Sequence, residues 1–344
     1  MDILHIPPDQ TFSTLLNNYN YHLALRYFLY NASIVLTALL WGAGLIGQLL
    51  NYSPSSEKNR IHLCSLSFFC ISVGLALIIF TLFLLAWAKY LTPEGVVIAF
   101  SFISFIALAS IYFNKKNISE TIISPSGFIN NFTTFLLVLL LAAFQATAIT
   151  SAGIGDCTSY HAPYADFLLK NLGLGVAPEH LIYPFHSLNI NIFYSLGLMI
   201  QHDISYIQTM HALFATLSMF GIYAFCIETK QQRFIAMLVP FFFAHIFTIK
   251  FSRFFANVDL GSTYFMLACI FALYLWADRK TLWLLVISAI NFGMAIGAKY
   301  IICVFAIPVA LYICIQERRS SMRPLLVFAA WGAIFGLYLS LIHI

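Results

Sequence analysis

The chain has 344 residues, 61% hydrophobic and only 9% charged, with 34 Phe and a formal charge of +4. That composition excludes a water-soluble globular domain. Lys and Arg are scattered between apolar runs, which excludes the clustered basic surface that a nucleic-acid partner needs. What remains is an all-α, polytopic membrane protein, since about 18 or more apolar residues in a row read as a bilayer-spanning helix and lipid offers the backbone no other partner. The alternating segments of a membrane β-barrel are absent.

The opening MDILHIPPDQTF has two Asp and two Pro and no basic segment, so no cleaved signal peptide is expected. Ten spans are predicted, at 33–50, 63–87, 95–113, 132–150, 205–227, 234–248, 260–277, 282–298, 300–315 and 325–344. They group into an N-terminal region (1–131, three spans), a core (132–316) and a tail (317–344) holding a loop and the last span. Connections are short except 151–204, a long insert of the kind that usually carries function. Six Cys (64, 70, 226, 269, 303, 314) fall in or beside spans and read as small apolar packing residues. Cys157 lies in the insert with no evident partner, so no disulfide framework is implied.

Placing the insert outside the cytoplasm puts Lys58, Arg60, Lys115, Lys116, Lys230, Arg233, Arg279, Lys280, Arg318, Arg319 and Arg323 inside. That is eleven of the seventeen basic residues. Arg26, Lys89, Lys170, Lys250, Arg253 and Lys299 fall outside. The asymmetry makes the insert extracytoplasmic in a plasma (inner) membrane protein. Within it, Phe185, Leu188, Ile192, Leu196 and Met199 form one apolar stripe, with His186, Ser187, Asn189, Asn191 and Ser195 off it. This predicts a helix lying on the membrane; an eleventh span is the competing reading. The final WGAIFGLYLSLIHI stops inside an apolar run, which suggests a truncated piece of a longer protein.

Polar chemistry concentrates in three places. The insert holds Asp156, Asp166, Glu179 and Asp203, with His161, His180, His186 and His202. Asp156 follows a span within a few residues, between Gly153 and Gly155 and its neighbour Cys157. A carboxylate there sits at headgroup level; the plain alternative is a solvated loop residue. KFSRFFANVDLGS carries Arg253 and Asp259 at the same face. Their plain alternatives are a snorkelling Arg and a helix-start Asp favoured by the dipole. In GMAIGAKYIICVFAIP, Lys299 sits between two apolar stretches, where it must reach an interface or find an anion. Asp203 precedes a span and reads as its cap. The His spacings match no zinc pattern, and neither a metal nor another cofactor is expected.

A carboxylate and several cations on one membrane face suit sugar transfer from a lipid phosphate. Cations hold the phosphate leaving group, and a base opposite the anomeric carbon activates the acceptor hydroxyl.

The order GIGDCTSYHAPYADFLLKNLGLG, LIYPFHSLNINIFYSLGLMI, SRFFANVDLGSTYFMLACIFALYLW, FGMAIGAKYIICVFAIP resembles the GT-C superfamily of integral-membrane glycosyltransferases. That superfamily contains the protein O-mannosyltransferases and lipid A aminoarabinose transferases. The resemblance covers about residues 132–316 and implies Asp156 as catalytic base. It also implies Arg253 and Asp259 as a second loop pair lining the site and Lys299 as a phosphate contact; Tyr160 and His161, in the polar stretch that follows Asp156, are further substrate-binding candidates. The donor would be a polyprenyl-phosphate-linked sugar in the bilayer; a divalent ion, used by some members, is not part of this reading. The alternatives are a transporter or flippase, a polysaccharide polymerase or ligase, and an inactive fragment. Almost no Asp or Glu lies within the spans, which counts against ion-coupled transport. The absence of Arg from 151–204 counts against the polymerase.

Overall fold

The computed structural model describes residues 21–52, 60–123, 141, 145, 157–175, 188–201, 204–246, 249, 252, 256–317 and 322–336. Its helices are α1 (Tyr21–Leu50), α2 (Leu63–Trp87), α3 (Pro93–Thr121), α4 (Ala162–Lys170), α5 (Leu188–Gln201), α6 (Ile204–Glu228) and α7 (Arg233–His245). They continue with α8 (Asp259–Arg279), α9 (Leu282–Ala298), α10 (Ala306–Gln316) and α11 (Arg323–Gly336). A π-turn at Cys157–His161 leads into α4, and a 3-10 segment, Tyr300–Phe305, into α10. Among the described residues the all-α expectation holds apart from one parallel pairing of β1 (Ile61–His62) with β2 (Ile122–Ile123).

Five described helices are long and apolar enough to cross a membrane: Leu25–Leu50, Leu63–Trp87, Pro93–Thr121, Ile204–Glu228 and Asp259–Arg279. They correspond to five of the ten expected spans. Four more expected spans fall on shorter apolar helices, at Arg233–His245, Leu282–Ala298, Tyr300–Gln316 and Arg323–Gly336. The remaining one, 132–150, lies almost wholly outside the described residues. α3 is the most outward-facing long helix: its span is only 17% buried, and Val97, Ile98, Phe102, Phe105 and Phe113 are exposed. In water such a surface is costly; against acyl chains it is the expected exterior. Thr92 caps α3 by accepting from the Gly95 N–H at 3.0 Å, with Pro93 opening the helix and Glu94 in its first turn.

The helices of 1–131 and those after 132 share one apolar core, in which Phe68 and Phe69 of α2 meet Phe271 of α8. Chain direction defines two ends. At the first, β1 and β2 pair and the Glu228 carboxylate accepts from the His62 N–H and the Ser65 hydroxyl, at 3.1 and 2.8 Å. Arg279 pairs with Glu228 there. α8 is 21 residues and so about 30 Å long, which puts Asp259 at the second end. α9 runs back, so Lys299 is there too. The turn after α2 is bound to the segment after α4 by Leu91 N–H to Leu172 C=O (2.9 Å) and Leu174 N–H to Ala86 C=O (3.0 Å). The described part of the insert thus sits at the second end, with Asp259 and Lys299.

α5 corrects the sequence reading. Residues 189–198 are all buried, including Asn189, Asn191 and Ser195, which are completely shielded. The helix lies between α2, α4, α6 and α9 rather than on a membrane surface. Its polar residues are off the apolar stripe because they bond inside the protein: Asn189 donates to the Met294 carbonyl at 3.3 Å, and Asn191 meets His161.

Candidate functional site

Asp259 opens α8 as a first-turn acid, where the helix dipole favours a carboxylate. Its N–H donates to Asn257 Oδ1 and its Oδ2 accepts from Asn257 Nδ2, both at 3.1 Å, so residues 257–259 fold back on themselves. Its Oδ1 pairs with Lys299 Nζ. The Lys299 backbone is extended where α9 ends, which lets the side chain reach across to α8. The pair is about half exposed, with 43% and 47% of the two side chains open.

Beneath this pair runs a buried polar chain. Tyr194 of α5 donates its hydroxyl hydrogen to the Asn257 carbonyl at 2.5 Å. Its phenol oxygen also lies 2.8 Å from His211 Nδ1 of α6. Because the phenol hydrogen is committed to Asn257, His211 Nδ1 carries the hydrogen that completes the second bond. The buried His211 ring also faces the backbone of Ser252 and Asn257. One turn back along α5, Asn191 Oδ1 accepts from His161 Nδ1 at 2.8 Å. Asn191 Nδ2 is buried and unpartnered among the described residues. The His161 and His211 rings lie close enough to influence each other electrostatically. Burial holds the Tyr194 phenol well above its ordinary pKa, so it stays a donor.

The π-turn completes the cluster. Cys157 is fully buried and meets the Ala256 backbone; burial pushes its thiol up to about 12. Tyr160 is half-buried, its ring 4.3 Å from that of His161.

Of the predicted site residues, the structure joins Asp259 to Lys299 directly and places Tyr160 against His161. The two pairs are linked through α5, since Asn191 meets His161 and Tyr194 reaches Asn257. Asp156, Arg253 and Asp203 lie outside the described residues. Those residues contain no group of three His, Cys, Asp or Glu able to hold a metal ion. Sequence reasoning missed Asn191, Tyr194, His211 and Asn257. His211 had a signal: an imidazole inside a long apolar helix. Asn257 had none.

Compared with protein-family models, with curated proteins and with solved structures, the chain matches none.

Proposed function

We propose that this chain is a membrane glycosyltransferase that moves a sugar from a polyprenyl-phosphate donor to an extracytoplasmic glycan, lipid or protein. One observation carries the reading. Cys157 and Ala256, the described residues that follow Asp156 and Arg253, are in contact, beside the Asp259–Lys299 pair. An acid and a cation, Asp259 and Lys299, therefore stand together at one end of an apolar bundle, next to the contact between the π-turn and the segment that leads into α8.

In this reading Asp156 takes the proton of the acceptor hydroxyl as its oxygen bonds to the anomeric carbon. The bond from that carbon to the phosphate oxygen breaks, and polyprenyl phosphate leaves on Lys299 and Arg253. Asp259 holds Lys299 before the phosphate arrives, and Tyr160 and His161 line the sugar side. The second end faces outward from a plasma (inner) membrane. Supporting this, Arg60, Lys115, Lys116, Lys230, Arg233, Arg279, Lys280 and Arg323 lie towards the first end, against Arg26, Lys89, Lys170 and Lys299 towards the second. The test is sugar transfer from polyprenyl-phosphate donors in purified membranes. Asp156→Asn abolishes it while the protein still inserts and folds; normal transfer by that variant removes Asp156 as base.

A second reading, a transporter or flippase, is favoured by His211, a titratable group inside a helix able to span. It predicts substrate flux into vesicles with no covalent product.

A further inference from the structure

Among the described residues, the polar chain under the rim meets it at the Asn257 carbonyl oxygen. Tyr194 is fully buried and its hydroxyl meets that oxygen at 2.5 Å. Asn257 in turn holds Asp259 through two bonds of 3.1 Å, and Asp259 holds Lys299. Without the phenol, the Asn257 carbonyl loses its hydroxyl donor and, among the described residues, keeps only the His211 ring beside it, so its orientation is less firmly set. The His211 ring lies 2.8 Å from the same phenol oxygen and also faces the Asn257 backbone, so it holds the phenol against that carbonyl.

We propose that Tyr194, oriented by His211, is the positioning residue of the Asp259–Lys299 pair. It sets where the rim cation stands, although it touches neither charged side chain in the bonds described. The inference deepens the site assigned above to a transferase, but its test is read on the Lys299 amine and needs no transfer.

The experiment acylates accessible amines of the whole protein in nanodiscs and follows each lysine by mass spectrometry, with thermal melting as a check on folding. Asp259→Asn frees Lys299 and sets the upper limit. Asn257→Ala, at a half-buried loop position, is the milder variant. Tyr194→Phe and Asn257→Ala each raise the Lys299 labelling rate about two- to five-fold, the range expected on releasing a half-exposed pair. Labelling of Lys170, at the same end, and of Lys280, at the other, stays within error. The double variant labels no faster than Asn257→Ala alone, because both act along one chain of bonds.

General loosening raises all three lysines together and overturns the proposal. So does a Tyr194→Phe protein in which Lys299 labels at the wild-type rate while Asn257→Ala labels faster. Should Tyr194→Phe fail to fold, His211→Asn takes its place. It keeps the phenol and removes the ring that orients it, with the same expected and overturning results. Loss of transfer in Asp156→Asn and accelerated Lys299 labelling in Tyr194→Phe are separate readouts, so either idea can fail alone.

Discussion

Glu228 and Arg279 form an ion pair sealed inside the first end of the bundle, with 3% and 10% of their side chains exposed. The second Glu228 oxygen is filled by the Ser65 hydroxyl and the His62 N–H. A buried carboxylate with every partner in place loses its compensation when the cation is removed. Arg279→Ala is therefore expected to cost about 3–5 kcal/mol, seen as a large fall in melting temperature in detergent. Glu228→Gln combined with Arg279→Met restores much of that loss, since it removes both charges together. A single variant that melts like the wild type contradicts the buried pairing.

The rim pair behaves differently. Asp259 and Lys299 are about half exposed, so water screens their attraction and the pair contributes at most about 1 kcal/mol. Lys299→Met should melt within a few degrees of the wild type. Under the proposed transferase reading, loss of this preorganised phosphate contact lowers the transfer rate roughly 10²–10³-fold. Activity that falls only in proportion to folded protein assigns Lys299 to the scaffold.

Where the sequence was readable, apolar length made it so. The run at 63–87 became α2 (Leu63–Trp87) and that at 282–298 became α9 (Leu282–Ala298), because a stretch without polar groups has few other ways to satisfy its backbone. α5 was misread for the opposite reason. Periodicity assigns Asn189, Asn191 and Ser195 to a wet face, yet Asn189 and Asn191 find partners on α9 and the π-turn, far off in sequence. Arg279 was counted as a loop charge for orientation, although its partner Glu228 lies fifty-one residues upstream. At the site, Asp259 and Lys299 were each legible as polar groups at an apolar boundary. Their pairing was not, because it depends on α8 and α9 lying antiparallel. The Tyr194–Asn257 bond joins a side chain to a backbone carbonyl, an acceptor every residue carries.

Two glycines fix the approach of α1 to α2. A methyl group on Gly74 would stand 1.7 Å from the Ala38 carbonyl oxygen, and one on Gly42 would stand 1.8 Å from that of Cys70. Backbone cannot yield as a flexible side chain can, and small residues are what let membrane helices touch this closely. Gly42→Ala and Gly74→Ala should each abolish monodisperse protein on size-exclusion chromatography or lower the melting temperature by several degrees, roughly 2–3 kcal/mol. Gly332→Ala is the control: its new methyl would meet the Ala289 carbonyl at an ordinary 3.5 Å, and the variant should behave as wild type.

Cys157 offers a prediction in pH. Burial raises its thiol to about 12 in the folded protein, while the unfolded chain has an ordinary thiol. The folded state therefore holds the proton more tightly. The resulting contribution to stability is complete below the ordinary thiol range and is lost as pH rises towards 12. Melting temperature should fall through that alkaline window, and Cys157→Ala should remove part of the fall. The same shift makes the thiolate at pH 8 about 10³-fold scarcer than for a free cysteine. Maleimide should accordingly leave Cys157 unmodified in native protein and label it only after denaturation. Rapid native labelling would place the π-turn open to water and detach Cys157 from the Ala256 backbone.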